Sequence, residues 1–226
     1  MRSRSYLVIG CGHFGSHAVR EILREEPSAA IAVVDRRSKA LENVSDLSVR
    51  KVRMEAVSFL ERFLSEGNRA DYVIPAVPFH LTFEFLLKRL QPRGARRRAV
   101  PSLSGLPNPM VGRSQDLYTS LADFLCPEDC PGPAHRCWVT GQIRSKPLAR
   151  ILRELKGPFD SEVILSEQLG RGVGGFRLKT LLDLEKRVER RMEAQPSGLL
   201  LVSTASRCHG VTSCLSWQTG GDLLYT

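Results

Sequence analysis

Two groups of residues in this chain are spaced so that they could do chemistry. The first is Gly10-Cys11-Gly12-His13-Phe14-Gly15, a G-x-G-x-x-G hexapeptide directly behind the apolar run Tyr6 to Ile9, with Asp35 twenty residues beyond Gly15. This spacing suits a turn that offers bare backbone to a pyrophosphate. Gly10 permits the tight turn, Gly12 leaves room for the phosphates, and Gly15 lets a helix approach the strand. The start of that helix supplies N–H groups without intrahelical partners and a partial positive charge. Asp35 can accept hydrogen bonds from the ribose hydroxyls of an adenosine, and its charge repels a 2′-phosphate, which favours NAD(H). Arg36 and Arg37 follow it and could stack on adenine or attract a phosphate, so NADP(H) stays open. The expected contacts are therefore Gly10, Gly12, His13, Phe14, Gly15, Asp35 and Arg36, and the expected partner is a dinucleotide. The competing reading is a fold of the same type that has lost its nucleotide.

The second group is made of cysteines, five of six of which lie after residue 125. Cys126, Cys130 and Cys137 form a C-x3-C-x6-C pattern, stiffened by Pro127 and Pro131, with His135 in the same stretch. Cys208-His209 and Cys214 form a later cluster. In a reducing compartment such thiols point to a metal before they point to disulfides. Three thiolates with a fourth ligand suit tetrahedral Zn2+ or an iron–sulfur cluster. The expected set is Cys126, Cys130, Cys137 and Cys208, with Cys214, His135 or His209 as alternative fourth ligands. The spacing is not that of paired C-x2-C knuckles, so buried unligated thiols and redox exchange are the competing readings.

Other candidates carry less chemistry. Gly170 to Gly175 reads as a strand-to-helix turn or as an anion site using Arg171 and Arg177, and it lacks the G-x4-G-K-[ST] spacing of a P-loop. His80 follows a predicted strand where an acid or base could face a nicotinamide, or it caps a helix. No Ser/His/Asp order and no paired carboxylates stand out, so no catalytic residues are assigned.

The elements that must position these groups alternate as in an α/β protein. Predicted strands are Tyr6 to Ile9, Ile31 to Val34, Ser48 to Val52, Tyr72 to Ile74 and Ala99 to Leu103. Helix periodicity runs through Phe14, Ala18, Val19, Ile22 and Leu23, then Val57, Leu60, Phe63 and Leu64, then Phe83, Leu86, Leu87 and Leu90. This pattern predicts a doubly wound parallel sheet over residues 1–106. The three prolines of Pro101 to Pro109 mark its end, and residues 107–226 form a smaller cysteine-containing region. There the spacing predicts a helix through Leu117, Leu121, Phe124 and Leu125, a second over Leu148 to Leu155, a strand over Val163 to Leu165, a charged helix over Arg177 to Met192 and a last strand over Leu199 to Ser203.

Composition narrows the function classes. The chain has 226 residues, 42% hydrophobic and 25% charged, which is globular and not low-complexity. No apolar run reaches the length of a membrane span, and the N-terminal apolar stretch is too short for a secretory signal, so a cytoplasmic location is expected. The net charge of +9 raises the question of nucleic acid. The densest cluster, Arg93 with Arg96 to Arg98, has no interleaved aromatic, and 26 of the 33 basic residues are arginines spread along the chain, so nucleic-acid binding is not expected. The apolar side of the charged helix, with Leu178, Leu181, Leu182, Val188 and Met192, suggests a homodimer surface.

Val8-Ile9-Gly10-Cys11-Gly12-His13-Phe14-Gly15, with Val33-Val34-Asp35 and Ala40-Leu41-Glu42, resembles the N-terminal NAD-binding domain of Trk-type regulators of potassium conductance. The resemblance covers about the first 100 residues. It implies a Rossmann fold with nucleotide contacts at Gly10, Gly12, Gly15 and Asp35. The family more often has arginine where this chain has His13, and Tyr72 to His80 is closer to dehydrogenases of the saccharopine type. The C-terminal half shows no likeness to the regulators' small ligand-binding domain. Two functions follow as expectations: a nucleotide-sensing regulatory protein, or an NAD-dependent oxidoreductase acting on a small molecule.

Overall fold

The structure is a computed structural model that describes residues 3–112, 114–132 and 135–218. The protein is mixed α/β, with two mixed sheets. The chain opens with β1 (Ser5–Ile9), α1 (His13–Glu25), β2 (Ala30–Asp35), α2 (Ser38–Leu41), β3 (Arg50–Arg53), α3 (Ala56–Ser65) and β4 (Tyr72–Pro75). It continues with α4 (Leu81–Leu90), β5 (Arg96–Arg98), β6 (Met110–Val111), β7 (Leu117–Ser120), α5 (Leu148–Arg153) and β8 (Asp160–Leu165). The hairpin β9 (Glu167–Gly170) and β10 (Val173–Arg177), the helix α6 (Leu178–Ala194) and the long strands β11 (Ser197–Ala205) and β12 (His209–Gln218) complete it. Contacts divide the chain into two compact units. One holds residues up to Leu81 together with Phe124–Ser145 and Ser166–Thr180; the other holds Thr82–Asp123, Lys146–Leu165 and the residues from Leu181 onward.

The first unit is built on a six-stranded sheet in the order β3-β2-β1-β4-β10-β9. Its first four strands are parallel; β10 joins β4 antiparallel and β9 follows as the edge. A central strand flanked on both sides must be apolar on both faces, and Tyr6, Leu7, Val8 and Ile9 of β1 are all buried. The register sets Tyr6 beside Ile31 and Tyr72, and Val8 beside Val33 and Ile74. These residues form one core with Ala18, Val19 and Ile22 of α1 and Ala40 and Leu41 of α2. Leu7, Val34 and Val73 point to the opposite face by alternation and are buried there. Helix α3 adjoins β2 and buries Phe59, Leu60 and Phe63. It starts at Glu55, whose carboxylate accepts the Ser58 N–H at 2.8 Å.

The second unit contains the sheet β6-β7-β12-β11-β8, with β5 also paired to β12. β11 and β12 form a nine-residue antiparallel ladder, and β8 adds parallel to β11. Leu148, Ala149 and Leu152 of α5 pack with Ala205 to form a small core. Arg89 of α4 pairs with Glu185 of α6 at 2.6 Å, and Arg93, just beyond α4, pairs with Glu193 at 2.8 Å.

Several expectations hold and several need correction. The strands over Tyr6, Ile31, Tyr72, Val163 and Leu199, and the helices over Phe14, Val57, Phe83, Leu148 and Arg177, all form within a few residues of the predicted ends. The sheet of the first unit is mixed, because β10 and β9 enter it from late in the chain. Ala99 to Leu103 is not a strand; the adjoining arginines are, with Arg96, Arg97 and Arg98 opposite Ser216, Leu215 and Cys214. Arg97 tolerates this place because its charge is matched by Glu84 and Asp116 and its guanidinium stacks 4.5 Å from the Phe83 ring centre. The predicted helix from Leu117 to Leu125 is replaced by β7, whose Tyr118-Thr119-Ser120 pairs with Val211, Gly210 and His209 of β12. β12 itself was not anticipated. Gly170 to Gly175 is a hairpin turn between β9 and β10, not a strand-to-helix connection. The first crossing between the two compact units falls between Leu81 and Thr82, and Phe124–Ser145 lies in the same unit as the glycine loop. Leu178, Leu181, Val188 and Met192 of α6 are buried within the chain, so they do not supply the dimer surface expected of them.

Candidate nucleotide-binding loop

The glycine hexapeptide lies at the carboxyl ends of β1, β2 and β4. Gly10 N–H donates to Val34 O at 2.7 Å, and Ala76 N–H to Ile9 O at 2.7 Å, so the loop is sewn to both neighbouring strand ends. The fold makes different demands at the three glycines. Gly10 has φ +99°, and a Cβ there would run into the Ala76 carbonyl. A Cβ on Gly15 would run into the Gly10 carbonyl, so this position lets α1 close on the loop. Gly12 has φ −73°, which any residue adopts, and a Cβ on it would meet nothing within 4 Å. The fold does not need a glycine there.

Asp35 ends β2 and turns its carboxylate to the loop. Oδ2 accepts the Cys11 N–H at 2.9 Å and Oδ1 the Arg37 N–H at 2.9 Å. Burial opposes its charge, yet these two backbone donors, with the Arg37 guanidinium, hold the carboxyl below its ordinary range. Each oxygen of a carboxylate has two acceptor sites, so capacity remains for a hydroxyl donor. The other end of the Cys11 peptide is held by Asn43, whose Nδ2 donates to Cys11 O at 2.9 Å. Arg20 of α1 in turn donates to Asn43 O at 3.0 Å and to Asp46 at 2.9 Å. Cys11 is fully buried, and burial, then the charge of Asp35, pushes its thiol pKa up. It is a core residue of the loop.

Helix α1 opens with no side-chain cap and no acidic residue in its first turn. Phe14 is 62% exposed there. His13 Nε2 lies 2.7 Å from Glu128 Oε2. His17 Nε2 is 2.9 Å from Arg171 O, Arg171 pairs with Asp129 at 2.9 Å, and its guanidinium lies 5.5 Å from the Trp138 ring centre. The β9–β10 turn and the start of the cysteine segment are thereby built against the first turns of α1.

The cysteines do not gather. Among the described residues no group of three or more His, Cys, Asp and Glu side chains could hold a metal ion. Cys126 and Cys130 are half-buried in the first unit. Cys137 opens a turn in which its N–H donates to Gln142 O at 2.8 Å and its carbonyl accepts the Gly141 N–H at 2.9 Å. The Thr140 side chain, then the Thr140 and Val139 N–H groups and the nearby Arg144, lower its thiol pKa against the effect of burial. Cys208 and Cys214 belong to the second unit; Cys214 is buried in β12, and burial pushes its pKa up to about 11. The metal reading gains no support from these placements. His80 is 2% exposed, a buried residue and not one presented at the surface. The arginine cluster is consumed internally, with Arg93 paired to Glu193 at 2.8 Å and Arg98 donating to Ser216 Oγ at 3.0 Å.

Asn43 and Glu128 are residues beside the loop that sequence reasoning missed, whereas Arg171 was a candidate only as an anion ligand of its own turn. Only the register of remote segments brings them to the loop, and no spacing in the chain announces it.

Residues 82–218, more than half of the chain, match the family model AF_1314_C, described as the C-terminal domain of an uncharacterized protein. The chain belongs to the AF_1314_C family. The match begins at Thr82, where the second structural unit also begins, and spans the cysteine segment and the β9–β10 hairpin. An uncharacterized protein of Archaeoglobus fulgidus is 27% identical over 221 residues, covering 92% of this chain and 98% of its own length. No solved structure matches. No helix among the described residues is long and apolar enough to cross a membrane.

Proposed function

We propose that this protein binds NAD(H) through the loop Gly10 to Gly15 and acts as a nucleotide-sensing regulatory protein. The observation that carries the reading is Gly12. Gly10 and Gly15 are glycines because the protein's own backbone leaves no room, but Gly12 faces open space in an ordinary conformation. A glycine that the fold does not require is accounted for by a ligand that must approach the bare backbone. The strand order β3-β2-β1-β4 is that of the first half of a Rossmann domain, and the loop sits at the carboxyl edge where such domains take their ligand. Asp35 keeps acceptor capacity for a ribose hydroxyl and repels a 2′-phosphate, which supports NAD(H) over NADP(H).

Calorimetry on the intact protein tests this. Wild type should bind NAD or NADH more tightly than NADP. Gly12→Ala should fold as wild type, because a Cβ there meets nothing within 4 Å, and should lose at least tenfold in affinity. Absence of binding at millimolar nucleotide sinks the reading. Oxidation of bound NADH by an added acceptor moves it to an oxidoreductase.

A further inference from the structure

We propose that the free edge of β3 is a docking site for an extended acidic segment of a partner protein, which adds to the first sheet as a further strand. Among the described residues β3 pairs with β2 alone, so its outer side carries no neighbouring strand. In a parallel ladder the N–H and C=O of one residue point to the same side, and the next residue's point to the other. Met54 N–H donates inward to Asp35 O at 3.2 Å, so the backbone groups of Val52 and Arg50 also face β2. Those of Lys51 and Arg53 face outward. A row of unused backbone groups of this kind is a template for a strand from another chain.

Charge and shape select the strand that fits. Three of the four residues of β3, Arg50, Lys51 and Arg53, are basic and exposed. The carboxylates whose charge acts on Lys51 and Arg50, Asp46 and Glu66, are bonded to other arginines, Asp46 to Arg20 at 2.9 Å and Glu66 to Arg62 at 2.7 Å. A second copy of this edge would set the same basic residues against it, which opposes self-pairing, whereas a carboxylate-rich strand is attracted. Strand side chains alternate, so Arg50, Val52 and Met54 share one face. On that face, between β3 and α3, lies a groove of about 90 Å³ floored by Val52, Met54, Phe59 and Phe63, with Arg50 and Arg62 at its rim. It is far smaller than a small-molecule pocket of roughly 300 Å³ and suits one apolar side chain. Strand addition uses both features together, the backbone along the edge and a side chain in the groove.

The test uses the full chain and a labelled peptide of glutamates around one central leucine, read by fluorescence anisotropy, with hydrogen exchange over residues 50–54 alongside. We expect binding that weakens with salt, falls about tenfold in Arg53→Glu, and falls about tenfold when the peptide's leucine is replaced by glutamate. Bound peptide should slow amide exchange at Lys51 and Arg53. The backbone is tested by proline: Lys51→Pro removes an outward N–H while leaving the bonds to β2 in place, so it should bind the peptide about fivefold more weakly than Lys51→Ala. If the proline variant does not fold, Arg53→Glu and the exchange measurement decide. No binding at millimolar peptide, or exchange in β3 that bound peptide leaves unchanged, overturns the proposal. Single-stranded polyuridylate bound as tightly as the peptide, with proline and alanine variants alike, marks a general polyanion surface and overturns it too.

Discussion

Asp35 accepts the backbone N–H of Cys11 at 2.9 Å across the gap between the ends of β2 and β1. This one contact ties the end of β2 to the glycine loop, and under the proposed nucleotide reading the same carboxylate serves both stability and recognition. Its folded pKa lies below the ordinary 3.8. A carboxyl with a depressed folded pKa stabilises the protein above its unfolded pKa, and that contribution is lost as pH falls through the folded value. Asp35→Asn should therefore lower the melting temperature at pH 7, and the difference from wild type should narrow as pH falls below about 4 and close once pH is below the folded pKa, where both side chains are neutral. It should also weaken NAD and reduce its preference over NADP. Melts at a series of pH values, paired with calorimetry, check both halves. A variant equally destabilised at every pH removes the electrostatic part of the argument.

The glycine positions should separate folding from binding. Gly10→Ala must overcome both a left-handed backbone and the Ala76 carbonyl, and Gly15→Ala must push α1 off the Gly10 carbonyl. Each should cost about 2 to 4 kcal/mol in chemical denaturation. Gly12→Ala should cost less than about 1 kcal/mol, since its methyl group enters open space. Comparable losses at all three positions would mean that Gly12 is structural, which would remove the main support for a ligand.

How far these features could be read from the sequence depends on the range of the interaction. Tyr6 to Ile9, the hexapeptide and Asp35 are local signals, and the strand, turn, helix and second strand form where their spacing puts them. What could not be read is whatever the chain assembles from distant parts. β10 completes the first sheet from 100 residues downstream of β4, so an apparently parallel sheet is mixed. Glu128 and Asn43 reach the loop in the same way. The arginines of β5 fail as a strand by propensity and form one because Asp116 and Glu84 neutralise Arg97. Leu117 and Leu121 have helical spacing, but pairing with β12 decides the matter for Leu117 to Ser120. The cysteine pattern could not be resolved the same way, because spacing along the chain says nothing about whether Cys208 shares a unit with Cys126.

The second unit should depend on Asp116. Its carboxylate is 1% exposed, accepts Ser213 Oγ at 2.5 Å and pairs with Arg97 at 3.0 Å. Asp116→Ala leaves the Ser213 hydroxyl without this acceptor and removes one of the two carboxylates paired with the half-buried Arg97. We expect a loss of about 3 kcal/mol, the size seen when one partner of a buried pair is removed. Asp116→Asn, which keeps an acceptor oxygen, should recover part of it. If Asp116→Ala melts within 1 °C of wild type, the network is not holding β5, β7 and β12 together.

The alkaline limit should trace to Cys214. Cys214 lies between β11 and β5 in the sheet, in register with Leu201 and Arg98, and burial of its side chain lifts the thiol from 9.0 to about 11, with Arg98 pulling the other way. A group whose folded pKa is raised holds its proton more tightly in the folded state. Its stabilising effect is complete below the unfolded value and is lost as pH climbs through the folded one. Between pH 9 and about 11 the unfolded chain gains by forming the thiolate while the folded chain keeps the thiol, which amounts to on the order of 2 to 3 kcal/mol by the upper end of the window. Cys214→Ala removes that term, at the expense of a small cavity that lowers stability at every pH. The variant should start below wild type at pH 8, lose less between pH 9 and 11, and approach or overtake it near pH 11. Tyr6, raised to about 12 by burial and by its hydrogen bond to Glu26, titrates later and in the other unit, so it adds the same slope to both proteins. Denaturant midpoints measured in steps of half a pH unit decide the point: parallel curves for the two proteins above pH 9 would show that Cys214 does not set the alkaline limit.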